Sequence, residues 1–190
     1  MKQSELIKRL TDKELRQQVV LTQTVFFLGS LLLSFFLFDP PSRWFDLFEI
    51  DPGEIVWFGI GTALIIVLID LLIMLIFPPE YYDDGGVNKR LFNNITFSSL
   101  LLITMFVAIA EEMLFRGVIQ SSFGYIVASI TFALVHLRYL KKPVLLISVL
   151  FVSFLIGYIF ELTGNLVVTI TAHFITDFVL ALLIRLKKEV

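Results

Sequence analysis

The sequence contains no cysteine, which excludes disulfide bonds, thiolate nucleophiles and thiolate metal ligands. Charge is also scarce, because Asp, Glu, Lys and Arg make up only 17% of the 190 residues and the formal net charge is -2. A balance so close to neutral gives no sign of a nucleic-acid partner. Any chemistry must therefore come from carboxylates, hydroxyls and the two histidines.

Apolar residues dominate instead: 57% of the chain is hydrophobic, 20 residues are phenylalanine, and the mean hydropathy is +0.89. A water-soluble domain of this length could not bury so much apolar surface, so we expect a polytopic membrane protein that forms one domain over residues 1–190. Apolar runs at about 19–38, 54–77, 95–120, 123–137, 143–162 and 166–186 predict an all-α bundle of about six transmembrane helices. The run at 123–137 is short for a full span. The mixed-charge segment 1–18 lacks a small-residue cleavage site, so it does not resemble a removable signal peptide.

Basic residues outside these runs predict the orientation. One side collects Lys2, Lys8, Arg9, Lys13, Arg16, Lys89, Arg90, Arg138, Lys141, Lys142, Arg185, Lys187 and Lys188, whereas Arg43 stands alone on the other. Lys and Arg concentrate on the cytoplasmic side of membrane proteins, so we expect both termini in the cytoplasm and the protein in a bacterial cell membrane. Residues 87–94 predict a short interfacial helix with Leu91 and Phe92 in the lipid headgroups.

Glu111, Glu112 and Arg116 interrupt the third apolar run. A charged side chain near the bilayer centre costs at least about 2.5 kcal/mol, so these three need partners or a polar cavity. Glu112 and Arg116 are four residues apart and can pair on one helix face. Glu111 is turned about 100° from Glu112. We therefore expect Glu111 to face a site and Glu112 to be held by Arg116.

Helical rise predicts that both histidines and the glutamate pair converge on the middle of the membrane. If residues 120–122 mark the outer face, Glu111 lies about 15 Å and His136 about 22 Å below it. By the same helical rise, His173 and Asp177 lie about 10 and 16 Å down the last span, on one helix face. A structural alternative exists for each residue taken singly, as a buried ion pair or an interhelical hydrogen bond. Six polar residues at one level favour a functional site.

Three motifs on successive apolar segments carry a family resemblance: Glu111-Glu112-x-x-x-Arg116, Phe132-x-x-x-His136 and His173-x-x-x-Asp177. In this order they resemble the CPBP family of intramembrane proteases, which includes the type II CAAX prenyl endopeptidases and bacterial proteins linked to bacteriocin immunity. The resemblance covers about residues 80–186. It implies an all-helical membrane core that hydrolyses peptide bonds.

The resemblance also implies roles for these residues. Glu111 and His136 would activate the water, and Glu112 and Arg116 would support them. His173, with the polar residue at 177, would hold the developing oxyanion or a metal.

Asp177 departs from the resemblance, because the prenyl proteases typically carry Asn at this position. An ionised carboxylate cannot donate to an oxyanion, so Asp177 must be protonated, orient His173 or ligate a metal. Two histidines with one or two carboxylates would also suit zinc with an open position for water, and its ligands would be Glu111, His136, His173 and Asp177. The sequence has no His-Glu-x-x-His or Gly-x-Ser-x-Gly run, so the zincin and serine-hydrolase motifs do not apply. Between zinc and no metal, we favour water activation without a metal.

Several features outside these motifs have a structural interpretation. Asp70 is expected to extend toward the cytoplasmic surface, with an outer place in the site as the alternative. Gly59, Gly61 and Gly157 permit close helix packing. The polar loop 80–86 is expected to be a solvated turn, with a lid or substrate-entry role as the alternative.

Two other function classes compete with a protease. Glu111, His136, His173 and Asp177 could form the proton relay of a small transporter, although no inverted repeat is evident. The polar cluster could also serve a catalytically silent membrane scaffold. Under the protease hypothesis the partner is a membrane-associated protein or peptide, of bacterial rather than prenylated eukaryotic origin.

Overall fold

A computed structural model describes residues 10–93, 95–139 and 142–186. Within these ranges the chain forms helices and no strand. Five of the described helices are long and apolar enough to cross a membrane: α1 (Asp12–Leu37), α3 (Pro52–Ile76), α6 (Phe97–Phe123), α8 (Pro143–Thr163) and α9 (Leu166–Leu186). Shorter helices complete the chain order: α2 (Arg43–Leu47), α4 (Pro79–Tyr82), α5 (Val87–Phe92) and α7 (Tyr125–Val135). The predicted all-α membrane fold is confirmed.

The predicted span at 123–137 is corrected. Its helix, α7, has 11 residues and is about 16 Å long, roughly half the hydrocarbon thickness. The chain leaves the helix at His136 and forms a 3₁₀ turn over Leu137–Tyr139. By Lys142 it has reached α4, because the Lys142 ammonium donates to the Glu80 carbonyl at 2.9 Å. Non-helical backbone at membrane depth is tolerated where protein covers it or where it faces a water-filled cavity.

Helix α1 buries polar side chains and exposes apolar ones. Its buried residues are Leu15, Gln23, Ser30 and Ser34, whereas Leu32, Phe35 and Phe36 are among its exposed residues. Lipid is as apolar as leucine, so apolar side chains gain nothing by turning inward, and polar ones find hydrogen-bond partners only inside the bundle. This pattern supports a membrane location for α1.

Two of the three glycines singled out in the sequence lie at close helix contacts. A Cβ on Gly59 would lie 3.2 Å from the Thr171 Cβ, at the contact of α3 with α9. A Cβ on Gly157 would lie 2.9 Å from the Tyr125 ring, at the contact of α8 with α7. Gly61 differs, since its nearest neighbour at 3.9 Å is the Val56 carbonyl of the same helix. The packing role predicted for three glycines therefore holds for two.

Polar contacts join the elements at the end of the molecule that carries most of the described basic residues. Arg90 pairs with Asp12 at 2.8 Å, and Arg138 pairs with Asp84 at 3.4 Å. The Asp84 side chain is only 5% exposed, so the loop at 80–86 is more than a solvated turn. Arg43 lies at the opposite end, where it donates to the Ser121 carbonyl at 3.3 Å.

The predicted interfacial helix exists as α5, but the prediction that its apolar residues lie in the lipid headgroups is wrong. Leu91 is buried against Leu15 and Val87, and Phe92 packs beside them. Helix α1, and not lipid, therefore covers the apolar face of α5. Some residues used in the sequence predictions lie outside the described residues: Lys2, Lys8, Arg9, Asn94, Lys141, Lys187 and Lys188.

Candidate active site

The carboxylates of the site stand where α6 changes its helical winding. Glu111 and Glu112 end the regular α-helical part, and residues Met113–Gln120 form π-helical turns. Glu111 is 5% exposed and Glu112 is fully buried. Such wide turns are rare and occur most often at functional sites. Hydrophobic periodicity alone gave no signal for this change in winding.

His173 of α9 lies between the two carboxylates. Its Nδ1 is 2.8 Å from Glu112 Oε1, and its Nε2 is 3.9 Å from Glu111 Oε2. An ionised carboxylate can only accept, so Nδ1 carries the proton that is donated to Glu112. The expectation that Glu111 alone would face the site is therefore corrected. The imidazole has nitrogens on two sides, so carboxylates that differ by 100° in helical phase can both reach it.

Arg116 is a fully buried cation that links three helices. Its Nε lies 3.5 Å from Glu112 Oε2, one turn back on α6. Its Nη2 donates to the Ser153 carbonyl at 3.0 Å and approaches the Ser153 hydroxyl at 3.2 Å, both on α8. The guanidinium also lies 5.2 Å from the ring centroid of Phe132 on α7. Arg116 therefore holds Glu112 as predicted, and Ser153 is a partner that the sequence analysis missed.

Gln23 is a second residue that the sequence analysis missed. Its Nε2 donates to Glu111 Oε1 at 2.7 Å, across from α1 to α6. A signal for it existed, because Gln23, Ser30 and Ser34 recur at helical spacing and mark one polar face of an otherwise apolar helix. The pattern does not say which helix that face meets.

His136 stands apart from the other titratable groups. Its Nδ1 lies 2.8 Å from the Phe132 carbonyl, which can only accept, so Nδ1 carries the proton and Nε2 is left with a lone pair in the neutral ring. The imidazole packs on Phe132 at 4.9 Å and stacks on Tyr139 at 5.6 Å between ring centroids. Among the described residues, no hydrogen bond joins His136 directly to Glu111 or His173.

The Phe132 ring connects His136 to the rest of the site, since its centroid is also 6.0 Å from that of His173. Beyond His136, the Arg138 guanidinium donates to the Tyr139 hydroxyl at 2.8 Å. Burial raises the pKa of the Tyr139 phenol, so this hydroxyl stays protonated at neutral pH. The side of the site next to His136 is therefore lined by a neutral phenol and a cation.

Asp177 completes the surroundings of His173. Its Oδ2 lies 3.5 Å from His173 Nε2, and its side chain is 36% exposed. Asp70 of α3 is partly buried, and its place relative to the site stays a prediction.

The predicted zinc ligands do not form a four-ligand site as they are arranged. His136 and His173 each contact the Phe132 ring, and His173 Nδ1 is engaged by Glu112. Within the described ranges, no group of three or more His, Asp or Glu side chains is arranged to hold a metal ion.

Comparisons with known proteins agree with the motifs in this site. A family model described as type II CAAX prenyl endopeptidase Rce1-like matches residues 93–179, a range that contains both glutamates, Arg116 and both histidines. An uncharacterized protein of Bacillus subtilis (strain 168), YpbD, is 41% identical over 167 residues, which cover 88% of each chain. No solved structure matches the chain. The chain belongs to the Rce1-like family of type II CAAX prenyl endopeptidases and is an integral membrane protein.

Proposed function

We propose that this protein is an intramembrane endopeptidase that hydrolyses a peptide bond in a membrane-associated protein or peptide. The observation that best supports this function is the position of His173, whose two nitrogens lie 2.8 Å from Glu112 and 3.9 Å from Glu111. Carboxylates and an imidazole held together inside apolar helices are groups that can move protons and stabilise charge away from bulk water.

Glu111 is the general base of the proposed reaction. It takes a proton from water as the water oxygen forms a bond to the carbonyl carbon of the scissile peptide. His136 assists with its Nε2 lone pair, because Nδ1 is tied to the Phe132 carbonyl. When the carbon–nitrogen bond breaks, the proton taken from water passes to the leaving amine, which leaves a carboxylic acid and an amine as products.

His173 stabilises the oxyanion in this proposal. In its doubly protonated form it donates from Nδ1 to Glu112 and from Nε2 to the oxygen that gains charge. Glu112 holds the ring, and Arg116 holds Glu112 at 3.5 Å. Asp177 cannot donate as a carboxylate, but at 3.5 Å from Nε2 it orients that N–H.

The substrate is proposed to enter from the basic end of the molecule. Helix α7 ends at Val135, so His136 lies on non-helical backbone on the side of Arg138 and Tyr139. The predominance of Lys and Arg at this end supports a cytoplasmic location for it and for both termini. A membrane-anchored protein of a bacterial cell membrane would then present its cytoplasmic juxtamembrane segment to the site.

The test compares new protein N-termini in membranes that contain wild-type protein or Glu111→Gln. Glu80→Gln is the matched control, because Glu80 lies in the exposed helix α4. The proposal expects N-termini that appear with wild type and Glu80→Gln and are absent with Glu111→Gln at equal folded protein. Identical sets of N-termini in all three membranes would contradict it. A cleavage site found in this way also gives the peptide for rate measurements.

A further inference from the structure

Gln23 is the one side chain of α1 whose hydrogen bond reaches the candidate site, within the described ranges. It is 6% exposed, and its helix lies outside the matched residues 93–179. A buried primary amide is costly in hydrocarbon unless it is hydrogen-bonded. Its Nε2 meets this requirement by donating to Glu111 Oε1 at 2.7 Å.

The hydrogen bond fixes how Glu111 presents its two oxygens. Oε1 accepts one hydrogen bond from Gln23 and keeps a second lone pair, while Oε2 faces His173 Nε2 at 3.9 Å. A hydrogen bond from a fixed amide to one carboxylate oxygen restricts rotation of the whole carboxylate group. A general base works best when such a support holds it in the geometry that proton transfer needs.

The carbonyl oxygen of the same amide has no hydrogen-bond partner among the described residues. Because a carboxylate only accepts, the group that points to Glu111 must be the NH2 group, and the Gln23 carbonyl points elsewhere. That Oε1 is buried. Amide oxygen and nitrogen are joined through one carbon, so Oε1 lies within about 5 Å of Glu111 Oε1, a separation that one water molecule spans.

We propose that Gln23 is a positioning residue for the hydrolytic reaction, and the proposal rests on the proposed function. Its amide nitrogen holds Glu111, and its amide oxygen accepts a hydrogen bond from the water that Glu111 deprotonates. The water then donates one hydrogen bond to Glu111 and the other to Gln23. These two hydrogen bonds direct the lone pair of the water oxygen toward the scissile carbonyl. The helix before the family-matched region thus completes the machinery for water activation.

The test uses the full-length protein in proteoliposomes and a quenched fluorescent peptide copied from a cleavage site found in the N-terminus comparison. Gln23→Met keeps the size of the side chain and removes both polar groups. Gln18→Met is the matched control, because Gln18 is exposed on the same helix. We expect Gln23→Met to lower kcat per folded molecule at least about tenfold with little change in KM, and to move the acidic limb of the kcat–pH profile. Gln18→Met should match wild type.

A purely structural Gln23 predicts a different result, namely a lower folded yield with unchanged kcat and pH profile for the molecules that fold. That result, or an equal loss of kcat in Gln18→Met, would overturn the proposal. If Gln23→Met does not fold, Gln23→Asn keeps a buried amide that is one methylene too short to hold Glu111 in the same way, and it is expected to show the same loss of kcat. Glu111→Gln is measured in parallel. A cleavage that survives Glu111→Gln overturns the proposed function itself, whereas a fully active Gln23→Met beside an inactive Glu111→Gln overturns only the role of Gln23.

Discussion

The imidazole of His173 donates to the carboxylate of Glu112 across 2.8 Å, although the two residues are 61 positions apart in the chain. The contact ties α9 to α6 and leaves His173 Nε2 facing Glu111 and Asp177. The His173 ring therefore lies between Glu112, which is paired with Arg116, and Glu111, which is not. Two carboxylates in such different surroundings can take different roles, one structural and one as a base.

Arg116→Ala is expected to reduce the yield of folded protein more than the activity of the molecules that fold. Removal of the guanidinium leaves Glu112 buried without its cation, and breaking a buried pair in this way costs about 3 to 5 kcal/mol. The measurement is the monodisperse fraction and thermal midpoint of purified protein. Arg185→Ala, at the end of α9, is the control and should match wild type. A well-folded but inactive Arg116→Ala would show instead that Arg116 contacts the substrate.

His136→Ala is expected to lower kcat by about 10² or more while the protein stays folded. The side chain is only half-buried and lies at the end of α7, so its loss opens no closed cavity in the core. Its Nε2 lone pair is the feature that the proposed mechanism uses. The peptide cleavage rate is measured beside that of Leu137→Ala, an exposed neighbour. Equal cleavage rates for His136→Ala and Leu137→Ala would show that His136 takes no part in the proton transfer.

Asp177→Asn separates the two ways of activating water. Without a metal, the residue only orients His173, and an amide oxygen can still accept from Nε2, so substantial activity should remain. A zinc ligand at this position would lose much of its affinity on the same change. Activity and bound zinc per mole are measured for wild type and variant, with and without a chelator. Stoichiometric zinc that is lost together with activity would contradict the metal-free mechanism.

Local spacing predicted the contacts within one helix, but it did not reveal every contact between helices. Glu112 with Arg116, and His173 with Asp177, are four residues apart, so helical geometry alone brings each pair together. The reach of Gln23 to Glu111 depends on how α1 rotates against α6, which packing decides. No pattern of apolar residues encodes that rotation.

Depth counting at His136 could not anticipate where α7 ends. The estimate assumed a continuous helix from the outer face to His136, but α7 ends at Val135 and the backbone then turns. The π-helical turns after Glu112 likewise alter the register of every later residue in α6. The end of α7 and the π-helical turns both lie beside the candidate site. Departures from regular helical geometry are expected at functional sites.

The central claim is that Glu111 is the base of a proteolytic reaction, and Glu111→Gln tests it most directly. The amide keeps the volume of the side chain and can still hydrogen-bond to Gln23, so the purified protein should fold as wild type does. Cleavage of the identified peptide in proteoliposomes should fall by about 10² or more, the contribution typical of a general base. Retention of more than about a tenth of the wild-type rate by a folded Glu111→Gln protein would contradict the account.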